Sequence, residues 1–396
     1  MKLPHGAALI IERLNKAGHR ADIVGGCVRD RLLGKEPYDY DITTDATPDE
    51  MRGIFSDLRT VDTGIKHGTL TVIIDEEPYE VTTYRVDGEY SDARHPDSVS
   101  FTKKLSDDLS RRDFTVNAMC YNERDGYTDL FFGKRDLDAR IIRAVGDPAV
   151  RFSEDALRIL RALRFASTLD FNIEEKTSAA IFETRELLLR VSAERIFTEW
   201  KKLISGVGAY GIIERYAPVI SLIIPEISNL RLPEREKFLR ADANIRELSL
   251  FALSCDNPAE AYVAAMQRLR SDNKRRKFGE SVLAAVSLPS SSRRELHLLL
   301  VRCGAEYAVG VLNLRVLLGL SNSEHLELLL DIIDSGECYK ISDMKIKGED
   351  LMALGVFGKD IANALDALLH KIAGGEIKNE REELLLFAKE NITRHR

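Results

Sequence analysis

Two acidic residues open the chemistry of this chain: Asp39 and Asp41, in the run Asp39-Tyr40-Asp41. In an extended segment residues two apart point to one face, so both carboxylates would converge on one point. Like charges so placed repel unless a cation sits between them. Mg²⁺ takes oxygen ligands and is commonly held by one or two carboxylates together with substrate phosphates. A solvated polar loop is the plainer alternative for such a short motif. Upstream, Val24-Gly25-Gly26-Cys27-Val28-Arg29-Asp30 reads as a strand that enters Gly-Gly and then a helix. There, backbone N–H groups can approach phosphate oxygens, and Arg29 would add a charge-assisted contact. The spacing is not the GxGxxG of dinucleotide-binding folds. Downstream, the double arginine of Ser110-Arg111-Arg112-Asp113-Phe114 suits a triphosphate or an RNA 3′ end. The competing reading pairs Arg112 with Asp113 or Asp108 on the surface. Glu80, opening Glu80-Val81-Thr82-Thr83-Tyr84, is the candidate third carboxylate of a two-metal site, provided the sheet order brings it alongside.

The elements that must position these residues change character along the chain. Up to about residue 140, short β-rich runs alternate with short helices; Ala21–Val24, Thr69–Asp75, Tyr79–Arg85 and Thr115–Tyr121 are expected strands, bounded by Gly, Pro or Asp. From about Asp147 the apolar spacing is helical, as in Ala156–Phe165, Ala180–Leu189, Leu326–Ile333 and Ile361–Ile372, the last stopping at Gly374-Gly375. The expected fold is α+β, a mixed-sheet head followed by an all-helical arm.

With 396 residues, 44% of them hydrophobic, the chain is long enough for several packed units. A net charge of −7 argues against a protein that coats nucleic acid, yet an RNA enzyme needs only one basic stripe, and the basic residues do cluster. Five cysteines without a CxxC pair fit reduced thiols. Neither a signal peptide nor a membrane span is expected, and a cytoplasmic location follows from these readings. No obligate protein partner is evident.

Taken in order, Gly25–Asp30, Asp39–Asp41, Arg111–Phe114, Asp129–Gly133, Glu154–Arg158 and Glu194-Arg195 resemble the motifs of the class II tRNA nucleotidyltransferase and bacterial poly(A) polymerase family. Residues 20 to 200 carry the resemblance, and Lys347–Phe387 continues it more faintly. It implies a polymerase-beta-like nucleotidyltransferase head over 1–140, a helical neck for base recognition over 141–205, a helical body over 206–310 and a helical tail over 311–396. Body and tail would bind the tRNA acceptor arm. The implied reaction is template-independent addition of C, C and A from CTP and ATP to the 3′ end of tRNA, with two Mg²⁺ ions and release of pyrophosphate. The family's pattern assigns the metals to Asp39 and Asp41. It assigns nucleotide contacts to Gly25, Gly26, Arg29 and Arg112, base selection to Asp155 and Arg158, and further contacts to Arg161 and Arg164.

Physical chemistry supports the base-reading assignment. Asp155 and Arg158, one helical turn apart, would share a face. Cytosine offers N4–H₂ beside N3 and adenine N6–H₂ beside N1, so one carboxylate and one guanidinium read either. G and U present a carbonyl where the amino group is needed, which leaves the acid unpaired. An Asp155–Arg158 salt bridge within the helix is the competing reading. For tRNA, the expected grip is Arg268, Arg270, Lys274, Arg275, Arg276 and Lys277, by shape and phosphate contact, against the alternative of a solvated helix end.

One departure from the pattern and one further resemblance matter. Phe132 stands where the family often has glycine between head and neck. The segment from Asp87 to Pro96 resembles the mobile loop of members that add A, which argues against CC-only addition. No His-Asp pair occurs, so the phosphohydrolase domain of some relatives is not expected. The rivals are an A-adding enzyme, a poly(A) polymerase, and an inactive RNA-binding protein on the same scaffold.

Overall fold

The computed structural model describes residues 3–62, 64–88 and 98–391; most of the loop singled out between Asp87 and Pro96 lies outside the described residues. The chain separates into two compact units, Met1–Ile223 and Ile224–Arg396.

The first unit opens with α1 (His5–Lys16), β1 (Ala21–Val24), α2 (Gly26–Leu32), β2 (Ile42–Thr44) and α3 (Pro48–Ile54). Then come β3 (Arg59–Val61), β4 (Thr69–Ile74), β5 (Glu77–Thr83), β6 (Arg85–Asp87), β7 (Val99–Phe101), α4 (Leu105–Ser110), β8 (Met119–Asn122), β9 (Gly126–Asp129) and α5 (Gly133–Asp138). A seven-stranded sheet runs in the order β3-β4-β5-β2-β1-β8-β9. β2 and β5 pair in parallel, with Ile42 opposite Val81, while the other neighbours are antiparallel. This is the mixed sheet expected of the head. Strand β4 buries alternate residues, as a sheet with one covered face requires. The expected strand Thr115–Tyr121 begins later, because Thr115–Asn117 forms a 3₁₀ turn. That turn sends the Thr115 hydroxyl to Asp136 and the Asn117 amide to Asp113, bonds an extended run would not reach.

Helices follow: α6 (Pro148–Glu154), α7 (Leu157–Leu169), α8 (Glu175–Thr184) and α9 (Ala193–Ser205). Asp147 caps α6 through the Ala149 and Val150 amides, with Pro148 at the first helical position. Trp200, on α9, is fully buried.

The second unit is helical throughout its described residues apart from turns. Its C-terminal part packs Cys338, Met344, Ile346, Leu351, Leu368 and Leu384 into one apolar cluster. Among the described residues no helix is long and apolar enough to cross a membrane.

Candidate active site

All of the nucleotide-site residues expected from the sequence fall in the first unit, and all but Glu80 line one cavity of about 450 Å³. It collects Gly25, Gly26, Asp39, Asp41, Asp113, Asn117, Asp155 and Phe165 with seven arginines: 29, 111, 112, 158, 161, 164 and 195. The guanidiniums outnumber the four carboxylates, so the cavity suits a polyanion while keeping an acidic edge for a cation.

The floor is the β1–α2 turn. Val24 N–H donates to the Asp41 carbonyl (3.0 Å) and Gly25 N–H to the Met119 carbonyl (3.1 Å), which pins the turn between β2 and β8. Gly25 has φ +85°, and a Cβ there would lie 3.1 Å from Arg112 Nη1. Only glycine both adopts this conformation freely and leaves that guanidinium its room.

Asp39 and Asp41 sit in the segment just before β2 rather than within the strand, with Tyr40 between them buried. The parallel register of Ile42 with Val81, carried back one residue, sets Glu80 beside Asp41. Asp41 is open to solvent on one side; partial desolvation against the cavity wall and the like charges of Asp39 and Glu80 push its carboxyl up to about 6, against the pull of Arg112. A hard divalent cation relieves this kind of crowding. Among the described residues, however, no three His, Cys, Asp or Glu side chains form a ready metal cage. Glu80 thus neighbours the Asp39/Asp41 pair, and a cation held there would draw its remaining ligands from substrate phosphates and water.

Arg111 and Arg112 leave the end of α4 and both bond the fully buried Asp108, at 2.6 and 3.3 Å. The pairing of Arg112 with Asp108 thus exists, but in the interior, where it aims the arginine rather than solvating it. Burial alone would raise Asp108; the charges of Arg111 and Arg112 and the Thr43 hydroxyl outweigh it and hold the carboxyl low. Arg112 Nε is buried without a hydrogen-bond partner, a donor left for a ligand.

Arg29, in the middle of α2, donates to Asp30 and, at 2.6 Å, to Asn117 Oδ1. Asn117 Nδ2 donates to Asp113 Oδ1 (3.1 Å), whose Oδ2 accepts from Arg161 Nε and Nη2 (2.8 and 2.6 Å). Burial would raise Asp113, yet Arg161, Asn117 and Arg158 together hold it at about 2. Arg164 donates to Glu199 on α9 (2.9 Å).

The base-reading pair differs from the sequence expectation. Asp155 is not inside a helix with Arg158: the chain is extended there (φ −138°, ψ 103°), between α6 and α7. Its Oδ1 accepts from the Leu157 amide (3.1 Å), so the side chain starts α7 instead of riding on it. Neither does the intrahelical Asp155–Arg158 bridge form. Asp155 is held by Arg195 of α9 at 2.9 and 3.2 Å, and Arg158 by Glu154 and the carbonyls of Arg151 and Arg111. Both face the cavity from separate anchors. Sequence reasoning assigned no role to Asn117, Phe165 or Arg195; only Arg195 carried a signal, as part of Glu194-Arg195.

The expected RNA patch lies in the second unit. Arg268 pairs with Glu226 (2.6 Å), and Arg275 with the buried Glu247 (2.8 Å), which also accepts from Tyr262. Arg275 is thus half-buried and bound to an interior acid, and Arg276 is half-buried too, whereas Arg268, Arg270, Lys274 and Lys277 are exposed.

Residues 21–143 match the poly A polymerase head domain, residues 170–215 a probable RNA and SrmB-binding site of polymerase A, and residues 242–388 a putative tRNA nucleotidyltransferase domain 2. A CCA-adding enzyme of Enterococcus faecalis is 38% identical, covering 97% of this chain and 95% of its own length. Another, of Pediococcus pentosaceus, is 36% identical over 96% of each. The crystal structure of the Bacillus stearothermophilus CCA-adding enzyme in complex with CTP superposes with a TM-score of 0.78 at 31% identity, covering 100% of this chain and 99% of that one.

Proposed function

The chain belongs to the CCA-adding enzyme family of tRNA nucleotidyltransferases, and from that premise we propose that it adds C, C and A, taken from CTP and ATP, to the 3′ end of tRNA without a template. The observation that carries the reading is the single cavity in which the carboxylate pair, the glycine turn, seven arginines and the Asp155/Arg158 pair meet.

Asp39 and Asp41 would hold Mg²⁺. When bound, the metal lowers the pKa of the attacking 3′-hydroxyl and neutralises charge on the departing pyrophosphate. Glu80 adds negative field beside them. The Gly25-Gly26 turn with Arg29 and Arg112 receives the triphosphate, the orphan Nε–H of Arg112 finding an acceptor there. Asp155 accepts from the exocyclic amino group of cytosine or adenine, and Arg158 donates to the adjacent ring nitrogen. Their anchors, Arg195 and Glu154, fix both groups before substrate arrives, so little ordering is needed on binding. Arg161 and Arg164 extend the cationic wall. The exposed Arg268, Arg270, Lys274 and Lys277, with Arg276, are the proposed phosphate contacts to the acceptor arm.

The test extends tRNA transcripts ending before CCA, after C and after CC, with Mg²⁺ and single labelled nucleotides. Completion of all three with a stop after A is the expected result. Growth of the CC-ended transcript alone, by one A, would mark an A-adding enzyme; long A tails, a poly(A) polymerase; no extension, an inactive RNA-binding protein. Asp39→Ala should abolish whatever extension is seen.

A further inference from the structure

Three arginines of the cavity meet at one aromatic ring. The guanidinium of Arg164 lies 3.6 Å from the Phe165 ring centroid, that of Arg29 5.1 Å and that of Arg161 5.4 Å. All are within cation–π range. Each arginine has its own acceptor, Glu199 for Arg164, Asn117 for Arg29 and Asp113 for Arg161. Those acceptors lie on different elements, and the ring is the contact common to all three. Phe165 is 5% exposed, lines the cavity, and takes an edge contact from Phe114 (5.7 Å, 78°), which fixes its plane. Like charges gathered this closely repel, and the negative ring face offsets that repulsion without neutralising any of the three.

We propose that Phe165 is a positioning residue for nucleotide binding: its ring seats Arg29, Arg161 and Arg164 together and sets the shape of the cationic wall that CTP or ATP meets. This rests on the reading of the cavity as the nucleotide site. Without the ring, Arg164 is left to Glu199 while Arg29 and Arg161 stay on the bonded Asn117–Asp113 pair, and the wall loses its register while the hydrogen bonds that support the fold persist.

The test replaces Phe165 in the full chain with 4-fluoro-, 3,5-difluoro- and 3,4,5-trifluorophenylalanine, which keep the ring's shape while draining charge from its face. Binding of CTP and ATP with Mg²⁺ is measured by calorimetry, alongside tRNA binding, thermal midpoint and tRNA extension. Nucleotide Kd should rise stepwise with fluorine number, reaching about tenfold for the trifluoro ring, with tRNA affinity and thermal midpoint unchanged. Phe165→Leu should weaken nucleotide binding at least as much. Nucleotide affinity flat across the series, with extension intact, overturns the role of the ring and leaves the activity standing; a flat series with a falling thermal midpoint overturns it equally, as a packing role. Graded loss of nucleotide binding in a chain that extends no tRNA supports the ring and overturns the activity. No nucleotide binding by the unsubstituted protein overturns both.

Discussion

Asp155→Asn is the perturbation aimed at base reading, because it exchanges one acceptor for a donor in an otherwise equal shape, although it also removes the oxygen that faces Arg195 Nη2 at 2.9 Å. In the folded chain Oδ1 of Asp155 faces two donors, the Leu157 amide at 3.1 Å and Arg195 Nη2 at 3.2 Å, while Oδ2 faces Arg195 alone at 2.9 Å. An asparagine there keeps its carbonyl oxygen toward the two donors, so its NH₂ replaces Oδ2. The group presented to the base then donates where the carboxylate accepted. Cytosine and adenine offer an amino group at that point and lose their bond; uracil and guanine offer a carbonyl and gain one. A hydrogen bond to a charged acceptor contributes roughly 1.5–3 kcal/mol, which corresponds to about 10- to 150-fold in kcat/KM. The expected outcome is a fall of that size for CTP and ATP and a partial rise for UTP and GTP. The assay is single-turnover extension of a transcript lacking CCA, with each nucleotide in turn. An unchanged CTP-to-UTP ratio in a folded Asp155→Asn protein would refute the reasoning and place base reading elsewhere in the cavity.

Three further outcomes follow from the geometry. Asp113 is held at about 2 from an ordinary 3.8; a depressed carboxylate contributes stability that is full above about pH 4 and is lost as pH falls toward 2. That contribution is about 2 kcal/mol, so urea unfolding between pH 6 and 2.5 should show Asp113→Asn losing this part of the pH dependence, and an unchanged slope would contradict it. Arg275→Met strands the carboxylate of Glu247 in the interior and should destabilise by about 3–5 kcal/mol in denaturant unfolding; the exposed pair Lys274→Glu with Lys277→Glu should leave stability within about 0.5 kcal/mol and weaken tRNA binding with a shallower salt dependence. Equal stability effects would show that Arg275 has no structural role. A Cβ at Gly133 would lie 2.2 Å from the Thr115 carbonyl, so Gly133→Ala should cost about 2–3 kcal/mol by overpacking, read as a shifted denaturation midpoint, whereas substitution at the exposed Phe132 should be far milder.

The motif from Asp129 to Gly133 shows how local signals gain meaning from packing. In sequence, Phe132 stands where the resembling family often has glycine. In the structure Phe132 takes a left-handed conformation (φ 60°) with an exposed ring, the conformation a glycine would adopt freely. Asp129 accepts from the Gly133 and Lys134 amides, and Gly133 lets α5 approach Thr115. The acid and the last glycine thus each serve a definite contact in the packed chain.

What the sequence by itself determined was the set of groups and their local carriers: Gly25-Gly26 at a strand–helix turn, the Asp39/Asp41 pair, the Arg111-Arg112 corner, and the change from strands to helices near residue 140. Period-two and period-3.6 apolar spacing and turn chemistry are local, so they can be read without the fold. The tertiary structure decided which groups become partners. It set Glu80 beside Asp41 through a parallel strand pair thirty-nine residues apart. It turned Asp155 toward Arg195 instead of Arg158, and it gave Arg275 to a buried glutamate. It also gathered Arg29, Arg161 and Arg164 around Phe165. A charge takes whichever opposite charge or acceptor the packed chain delivers to it, and burial multiplies the energy of that choice. Spacing along the chain reports only the neighbours within a turn or two, such as Arg112 with Asp108 and Arg158 with Glu154, whereas the bonds Arg29–Asn117, Arg161–Asp113 and Arg195–Asp155 join residues forty to ninety positions apart.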